Sequence, residues 1–186
     1  LGAALAQHYG KTGAQLGLVG RRGDALQAVA QGLDAQCHTA DVRDLAAMQA
    51  AATDFMTRYG PPDIVIAAAG ISVGTLTEDA DDAAVFRAVM DINVLGLVHT
   101  FQPFIPAMRS RGGGVLCGIS SVSGVRGLPG SGAYSASKAA ATAYLESLRV
   151  ELRASGIAVV TVAPGFIDTP MTRVNAYPMP FKMTAQ

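Results

Sequence analysis

Tyr134 and Lys138 stand four residues apart in Tyr134-Ser135-Ala136-Ser137-Lys138, at the head of an Ala-rich run with helical spacing. On a helix, positions i and i+4 share one face, so the phenol and the ammonium can converge on one point. An ammonium beside a phenol favours the phenolate and lowers its pKa from the usual ~10, which makes the tyrosine a proton donor or acceptor near neutral pH. The pair alone is a weak signal, because the chain has five tyrosines and a solvated helix face would show the same spacing. Its company strengthens it: Ser121 lies thirteen residues upstream, Asn93 further back, and small residues recur at predicted strand ends.

The elements that must position these residues alternate between helix and strand. Helical spacing predicts helices over Leu1–Tyr9, Asp24–Gln31, a stretch opened by Asp41-Val42-Arg43-Asp44 and running to Tyr59, Asp81–Arg111 and Tyr134–Ala154. Gly23 or Asp24 is the expected cap of the second helix. Gly96 falls inside the fourth, and Pro103 and Pro106 predict a kink in its last third. Short apolar runs predict strands over Ala14–Gly20, Gln36–Ala40, Asp63–Ala68, Val115–Ser120 and Ile157–Ala163, the third reading as a strand covered on both faces. Gly60-Pro61-Pro62, Gly112-Gly113-Gly114 and Gly156 punctuate the series. Such alternation implies α/β architecture with a doubly wound parallel sheet, three layers deep, in one domain over residues 1–186. Right-handed crossovers then put the ligand crevice at the carboxyl ends of the strands. There the chain has Gly20-Arg21-Arg22, Asp41-Val42, Ala67-Ala68-Ala69-Gly70, Ser120-Ser121 and Pro164-Gly165.

Composition narrows the function classes. Half the residues are hydrophobic, 15% are charged and the formal net charge is zero, which removes the electrostatic case for nucleic acid or an anionic membrane. Tryptophan is absent and aromatics are few, which argues against base-stacking platforms. No apolar run approaches the ~20 residues of a membrane span. Cys37 and Cys117 fall in predicted strands and read as buried thiols of a reducing compartment, hence the cytoplasm. No Cys/His cluster has metal spacing, and His8, His38 and His99 are scattered.

With these motifs in order, the sequence resembles the short-chain dehydrogenase/reductase family of NAD(P)-dependent oxidoreductases, with a Rossmann fold. The resemblance covers nearly the whole chain. It rests on Asp41-Val42, Ala67-Ala68-Ala69-Gly70, Asn93-Val94-Leu95-Gly96, Ser120-Ser121, Tyr134-Ser135-Ala136-Ser137-Lys138 and Pro164-Gly165-Phe166-Ile167-Asp168-Thr169. The family's first strand and its glycine-rich turn are not found here. Leu1-Gly2 looks like the end of that turn, which leaves Gly2 as its one glycine, and the family usually continues past the position of Gln186. The chain therefore reads as an internal part of a longer protein, without the central strand. Ala67-Ala68 stands where the family usually has two asparagines, so an amide that ties neighbouring strands is gone.

The resemblance implies hydride transfer between a nicotinamide and a carbonyl or secondary alcohol. Tyr134 would donate the proton to the carbonyl oxygen, Lys138 would lower its pKa and hold the nicotinamide ribose, Ser121 would steady the developing alkoxide, and Asn93 would hold a water that links Lys138 to solvent. Ser120 rivals Ser121, but the family spacing selects Ser121, and alternation along a strand turns the two hydroxyls to opposite faces. Ser123, Ser135 and Ser137 read as cap or packing residues. For the cofactor, Asp41 would contact the adenine amino group, Val42 would pack on its ring, Ala68 and Gly70 would line the dinucleotide, and Pro164, Gly165, Ile167 and Thr169 would border the nicotinamide. Gly20 stands where an NAD enzyme usually has an acid, and Arg21 and Arg22 follow, so NADP is favoured over NAD.

Ser72–Leu76, Val125–Gly130 and the stretch after Thr169 would wall the substrate pocket. The last includes Pro170-Met171 and Pro178-Met179-Pro180-Phe181, which suggests an apolar lid over an apolar substrate, or else an interface segment. The apolar faces of Met90–Met108 and Ala139–Leu152 would bury against a second subunit in a homodimer or homotetramer, or simply against the sheet. A catalytically silent dinucleotide-binding scaffold or sensor is the competing reading. Retention of Asn93, Ser121, Tyr134 and Lys138 together argues against it. A methyltransferase on a similar fold leaves those four residues unexplained.

Overall fold

Among the described residues, short runs of β-branched and aliphatic residues bounded by glycine become five parallel strands, and the Ala-rich stretches between them become helices. The computed structural model describes residues 1–173 and 179–185. The strands are β1 (Leu16–Gly20), β2 (Ala35–Thr39), β3 (Ile64–Ala67), β4 (Gly114–Ile119) and β5 (Ile157–Val162). The helices are α1 (Gly2–Lys11), α2 (Gly23–Ala30), α3 (Leu45–Tyr59), α4 (Asp82–Met90), α5 (Gly96–Phe101), α6 (Ile105–Arg111), α7 (Gly132–Glu151) and a short α8 (Pro170–Arg173). Strands flanked by helices form the expected three-layer α/β/α arrangement.

Strand pairing divides into two sheets. β1 pairs with β2, with Leu16 opposite Ala35, and β3-β4-β5 pair in register from Ile64 opposite Val115 and Gly114 opposite Ile157. Among the described residues β1 and β3 are not joined to each other. A slot with a volume of about 560 Å³ lies between them, lined by Leu16–Val19 of β1, Ile64–Ile66 of β3, and side chains such as Ala6 of α1 and Phe55 of α3. Among the described residues no strand fills this slot.

The core sits on one face of β3-β4-β5. Val65, Leu116, Ile157 and Val159 meet Leu97 and Phe101 of α5, Met108 of α6, and Leu145 and Leu148 of α7. The opposite face is more open, with Val160 and Val162 exposed, so these strands alternate rather than being covered equally on both faces. The apolar faces of the 90–108 and 139–152 stretches therefore go largely into the sheet, leaving Leu95 and Val150 exposed.

Two local expectations are corrected. The N-terminus of α2 is flanked by Arg22, and no side chain caps it. The single long helix over 81–111 is instead α4, a π-helical turn over Asp91–Leu95, α5 and α6, with a break at 102–104 beside Pro103. The Gly96 N–H donates to the Asp91 carbonyl five residues back, one residue beyond the α-helical reach. By length and composition alone Asp82–Arg111 could cross a membrane, with a mean hydropathy of 1.3 in its most apolar window. Here it is interrupted twice and packs Phe101 and Met108 into the core.

α3 begins later than Asp41, because the Asp44 carboxylate accepts from the Ala47 N–H and caps the helix there. That leaves Asp41-Val42-Arg43 as a loop at the carboxyl end of β2. Glycine matters structurally at Gly96, where a Cβ would lie 2.6 Å from Val42 Cγ2, so this loop can seat directly on α5.

Candidate active site

The carboxyl ends of β3, β4 and β5 meet the first turns of α7. Lys138 is 5% exposed, and its ammonium donates to the Ile119 carbonyl at the end of β4, 2.8 Å away. Its Nζ lies 5.7 Å from the centre of the Tyr134 ring. Burial pulls the Lys138 pKa down from 10.5 to about 8, because the charged form loses hydration that one carbonyl only partly replaces. Tyr134 itself is half-buried. The i, i+4 spacing thus does what helical geometry allows and puts both groups on one side of α7.

Ser120 and Ser121 part company, as strand alternation demands. Ser120 is buried, donates to the Lys138 carbonyl at 3.0 Å, and meets the Thr142 hydroxyl at 2.7 Å, so it bolts the end of β4 to α7. The Ser121 oxygen accepts from the Ser123 N–H at 3.1 Å and caps a 3-10 turn over Val122–Gly124. Accepting uses a lone pair and leaves the O–H of Ser121 as a donor. The Val122 N–H donates to the Pro164 carbonyl at 3.1 Å, which draws the loop after β5 alongside Ser121.

Asn93 lies in the π-helical turn and is 2% exposed. Its Oδ1 accepts from Ile71 N at 2.8 Å, and its Nδ2 donates to the Ile71 carbonyl and to Ser137 Oγ, each at 2.9 Å. The amide therefore brackets the loop after β3 to α7. A Cβ at Gly70 would lie 3.2 Å from Asn93 Oδ1 and 3.6 Å from Lys138 Nζ, so Gly70, Asn93 and Lys138 form one neighbourhood.

Ser137 was not legible as part of this site, because a serine inside an Ala-rich helix reads as packing. Its partner Asn93 lies 44 residues away in sequence. Ser135 conforms better to that reading, with only a long 3.4 Å bond from Leu128 N. The buried polar and charged residues among the described residues are Asn93, Ser120, Ser121, Ser135, Ser137 and Lys138. All six lie at this one place, and a cluster of buried polar groups around a lysine of lowered pKa marks it as the candidate functional site.

The remaining predicted contacts lie along the same sheet edge. Gly2, at the start of α1, is close enough to Ala68 that a Cβ there would stand 3.6 Å from the Ala68 Cβ. Arg21 and Arg22 follow β1. Asp41 is held by Arg43, which donates from Nε to both carboxylate oxygens at 3.1 Å and from a terminal nitrogen at 2.7 Å. These bonds, with a smaller contribution from the Arg21 charge, hold the Asp41 pKa down at about 2. Val42 packs on Gly96, and its carbonyl meets His99 Nδ1 at 2.8 Å. Around Gly165 there is open space for 4 Å, whereas Ile167 is buried and pairs with Met183. The Thr169 N–H bonds Thr172 Oγ1 at 3.1 Å. A dinucleotide fits this donor set: small residues keep the strand ends open, and cationic Arg21 stands at one end and Lys138 at the other.

At the loops expected to wall a substrate pocket, Thr75 N donates to the Gly130 carbonyl at 3.0 Å, which joins the 72–76 loop to the loop before α7. Leu76, Leu128 and Val125 are exposed there, Val125 at 85%. Beyond α8, Met183 pairs back onto Phe166 and Asp168, and Phe181 is 95% exposed. Pro178, part of the expected apolar lid, lies outside the described residues.

Comparison with known proteins gives concordant matches. A family model described as short chain dehydrogenase matches residues 1–177. An uncharacterized oxidoreductase of Myxococcus xanthus is 38% identical over 188 residues, covering 98% of this chain and 74% of the relative. Among solved structures, a 3-ketoacyl-ACP reductase from Sinorhizobium meliloti matches with a TM-score of 0.82 at 34% identity, over 89% of this chain and 68% of that one. A gluconate 5-dehydrogenase from Burkholderia cenocepacia, in complex with NADP and tartrate, matches with a TM-score of 0.83 at 26% identity, over 93% of this chain and 71% of that one.

Proposed function

This chain belongs to the short-chain dehydrogenase family of oxidoreductases acting on the CH–OH/C=O pair, and on that premise we propose that it uses NADP(H) and a Ser121–Tyr134–Lys138 mechanism on a carbonyl or secondary alcohol. The observation that carries this reading is the buried Lys138 ammonium beside Tyr134, in a helix bolted through Ser120 to the chain that leads from β4 into Ser121.

The nicotinamide, when bound, supplies or accepts the hydride. In the reducing direction Tyr134 gives its phenolic proton to the substrate oxygen, so the C=O π pair becomes an O–H bond. Ser121 donates its hydroxyl hydrogen to the same oxygen and stabilises negative charge as it develops. Lys138 stabilises the tyrosinate left behind. With its pKa lowered to about 8 it stays mainly protonated at neutral pH, but it gives up that proton more readily than an exposed lysine. Asn93 fixes the loop at Gly70-Ile71 against α7, so the floor of the nicotinamide site and the proton donor keep one geometry. Gly2, Ala68 and Gly70 give the dinucleotide its close approach, Asp41 and Val42 border the adenine, and Pro164, Gly165, Ile167 and Thr169 border the nicotinamide.

The preference for NADP is supported by Arg21 and Arg22 after β1, where a guanidinium can fork onto a 2′-phosphate, and by the gluconate 5-dehydrogenase neighbour with NADP. An apolar substrate suits the exposed Leu76, Val125 and Leu128. A single catalytic domain, a cytoplasmic setting and a homodimer or homotetramer complete the reading.

The test is titration of the full chain with NADPH and NADH, followed by a carbonyl panel with Tyr134→Phe beside the parent. NADPH binds more tightly, and Tyr134→Phe loses at least 100-fold in kcat on any substrate the parent turns over. Tighter NADH binding removes the Arg21 argument, and full activity in Tyr134→Phe removes the proton-donor role.

A further inference from the structure

Ser137 has no exposed surface, and its hydroxyl makes two bonds that join separate parts of the site. It donates to the Tyr134 carbonyl at 2.7 Å and accepts from Asn93 Nδ2 at 2.9 Å. Asn93 in turn grips both backbone groups of Ile71. A continuous polar chain therefore runs from the loop after β3, through the π-helical turn, to the turn of α7 that carries Tyr134 and Lys138.

Packing alone does not require this hydroxyl. The neighbouring positions Ala136, Ala139, Ala140 and Ala141 show that this helix takes alanine readily, and serine is the poorer helix former. A serine bonded back to the carbonyl three residues earlier tends to loosen a helix. The compensating gain is a buried acceptor for Asn93, whose Nδ2 would otherwise keep one hydrogen unpaired away from water.

We propose that Ser137 is a positioning residue for the reaction, acting through Asn93 to hold the nicotinamide-side loop and the Tyr134 turn in one geometry. The proposal rests on the Ser121–Tyr134–Lys138 reading. With no exposed surface, Ser137 presents nothing to substrate or cofactor directly, so its removal is expected to change the rate of the chemical step and to leave cofactor affinity nearly unchanged.

The experiment compares Ser137→Ala, Asn93→Ala and the double variant in the full chain, with Tyr134→Phe alongside. Ser137→Ala lowers kcat about tenfold, as expected for a buried donor left unpaired in a working network, while the cofactor Kd stays within about twofold. The double variant is no slower than Asn93→Ala, because both changes cut the same link. Ser137→Cys, which keeps the volume with a weaker hydrogen-bonding group, falls between parent and Ala and serves if Ser137→Ala folds poorly. Parental kcat in either folded variant overturns the proposal, as does a double variant slowed by the product of the two single effects. Failure of the underlying reading shows separately, as an active Tyr134→Phe.

Discussion

Gly124→Ala is the most direct perturbation of the site that leaves every polar group in place. Gly124 ends the 3-10 turn that Ser121 caps. A Cβ on it would stand 2.8 Å from the Lys138 carbonyl carbon and 2.9 Å from both Lys138 O and Ala139 N. These are backbone atoms of α7, so no side-chain tip can swing aside. Ordinary contact begins at 3.4 Å, so the turn and the helix must part by about 0.6 Å. Overpacking of this kind costs roughly 1–3 kcal/mol. The displacement also falls along the line that matters for chemistry, because the turn carries Ser121 and the helix carries Lys138 and Tyr134. A misplacement of ~1 Å can cost about 100-fold, so about tenfold in kcat is expected here. Initial rates followed by nicotinamide absorbance, with thermal unfolding of the parent and the variant, decide the matter. If Gly124→Ala matches the parent in kcat and Tm, the close approach of turn to helix does not set the active geometry.

Burial of Lys138 predicts a rise in stability at alkaline pH. Its folded pKa of about 8 lies below the 10.5 of the unfolded chain, so between those values the unfolded state binds more protons and stability increases with pH. The stability difference between the apo parent and Lys138→Met should grow by up to about 3 kcal/mol from pH 8 to 10.5 in urea titrations, and a difference that stays flat refutes the buried-charge account. Arg111→Ala tests the opposite edge of the sheet, where Arg111 donates to the Pro61 carbonyl at 2.6 Å, the Pro62 and Gly113 carbonyls at 2.9 Å and Asp63 at 3.1 Å. Its loss costs about 1–3 kcal/mol in denaturant unfolding with kcat unchanged, and a large drop in kcat would show that this edge communicates with the site.

The parts of the molecule that were legible beforehand are those set by short-range rules. The alternation of apolar strand and Ala-rich helix placed all five strands within two residues of where they lie, and the i, i+4 rule brought Tyr134 and Lys138 together. The parts that were not legible depend on contacts distant in sequence. The π-helical turn at Asp91–Leu95 has no residue signature, since a one-residue shift in bonding suits the same side chains as an α-helix. Pro103 marked only the later break. Gly96 read as an oddity inside a helix, and only the Val42 side chain against it explains why a larger residue would not fit. Arg43 gave no sign that it would claim the Asp41 carboxylate, because Asp41 lies outside the helix that its sequence seemed to open. Ser137 and the π-helical turn escape a sequence reading for the same reason, since each acquires meaning from the other.

A buried lysine with one carbonyl partner, a buried asparagine and four serines with little exposed surface are poor choices for a stable core. Leucine and alanine at those positions would cost less, and the chain uses both freely elsewhere. Their concentration at the end of β4 means that the fold sustains an unfavourable patch there, and the surrounding geometry shows how. Ser120 satisfies the Lys138 carbonyl, the Ile119 carbonyl takes one bond from its ammonium, and Asn93 satisfies Ile71 and Ser137. Each group is therefore paired mainly with backbone, which cannot rotate away, so the lysine keeps its place while its charge stays poorly solvated. That combination, a fixed position with a weakened hold on a proton, suits the proposed proton-transfer role, whereas a packing core has no use for it.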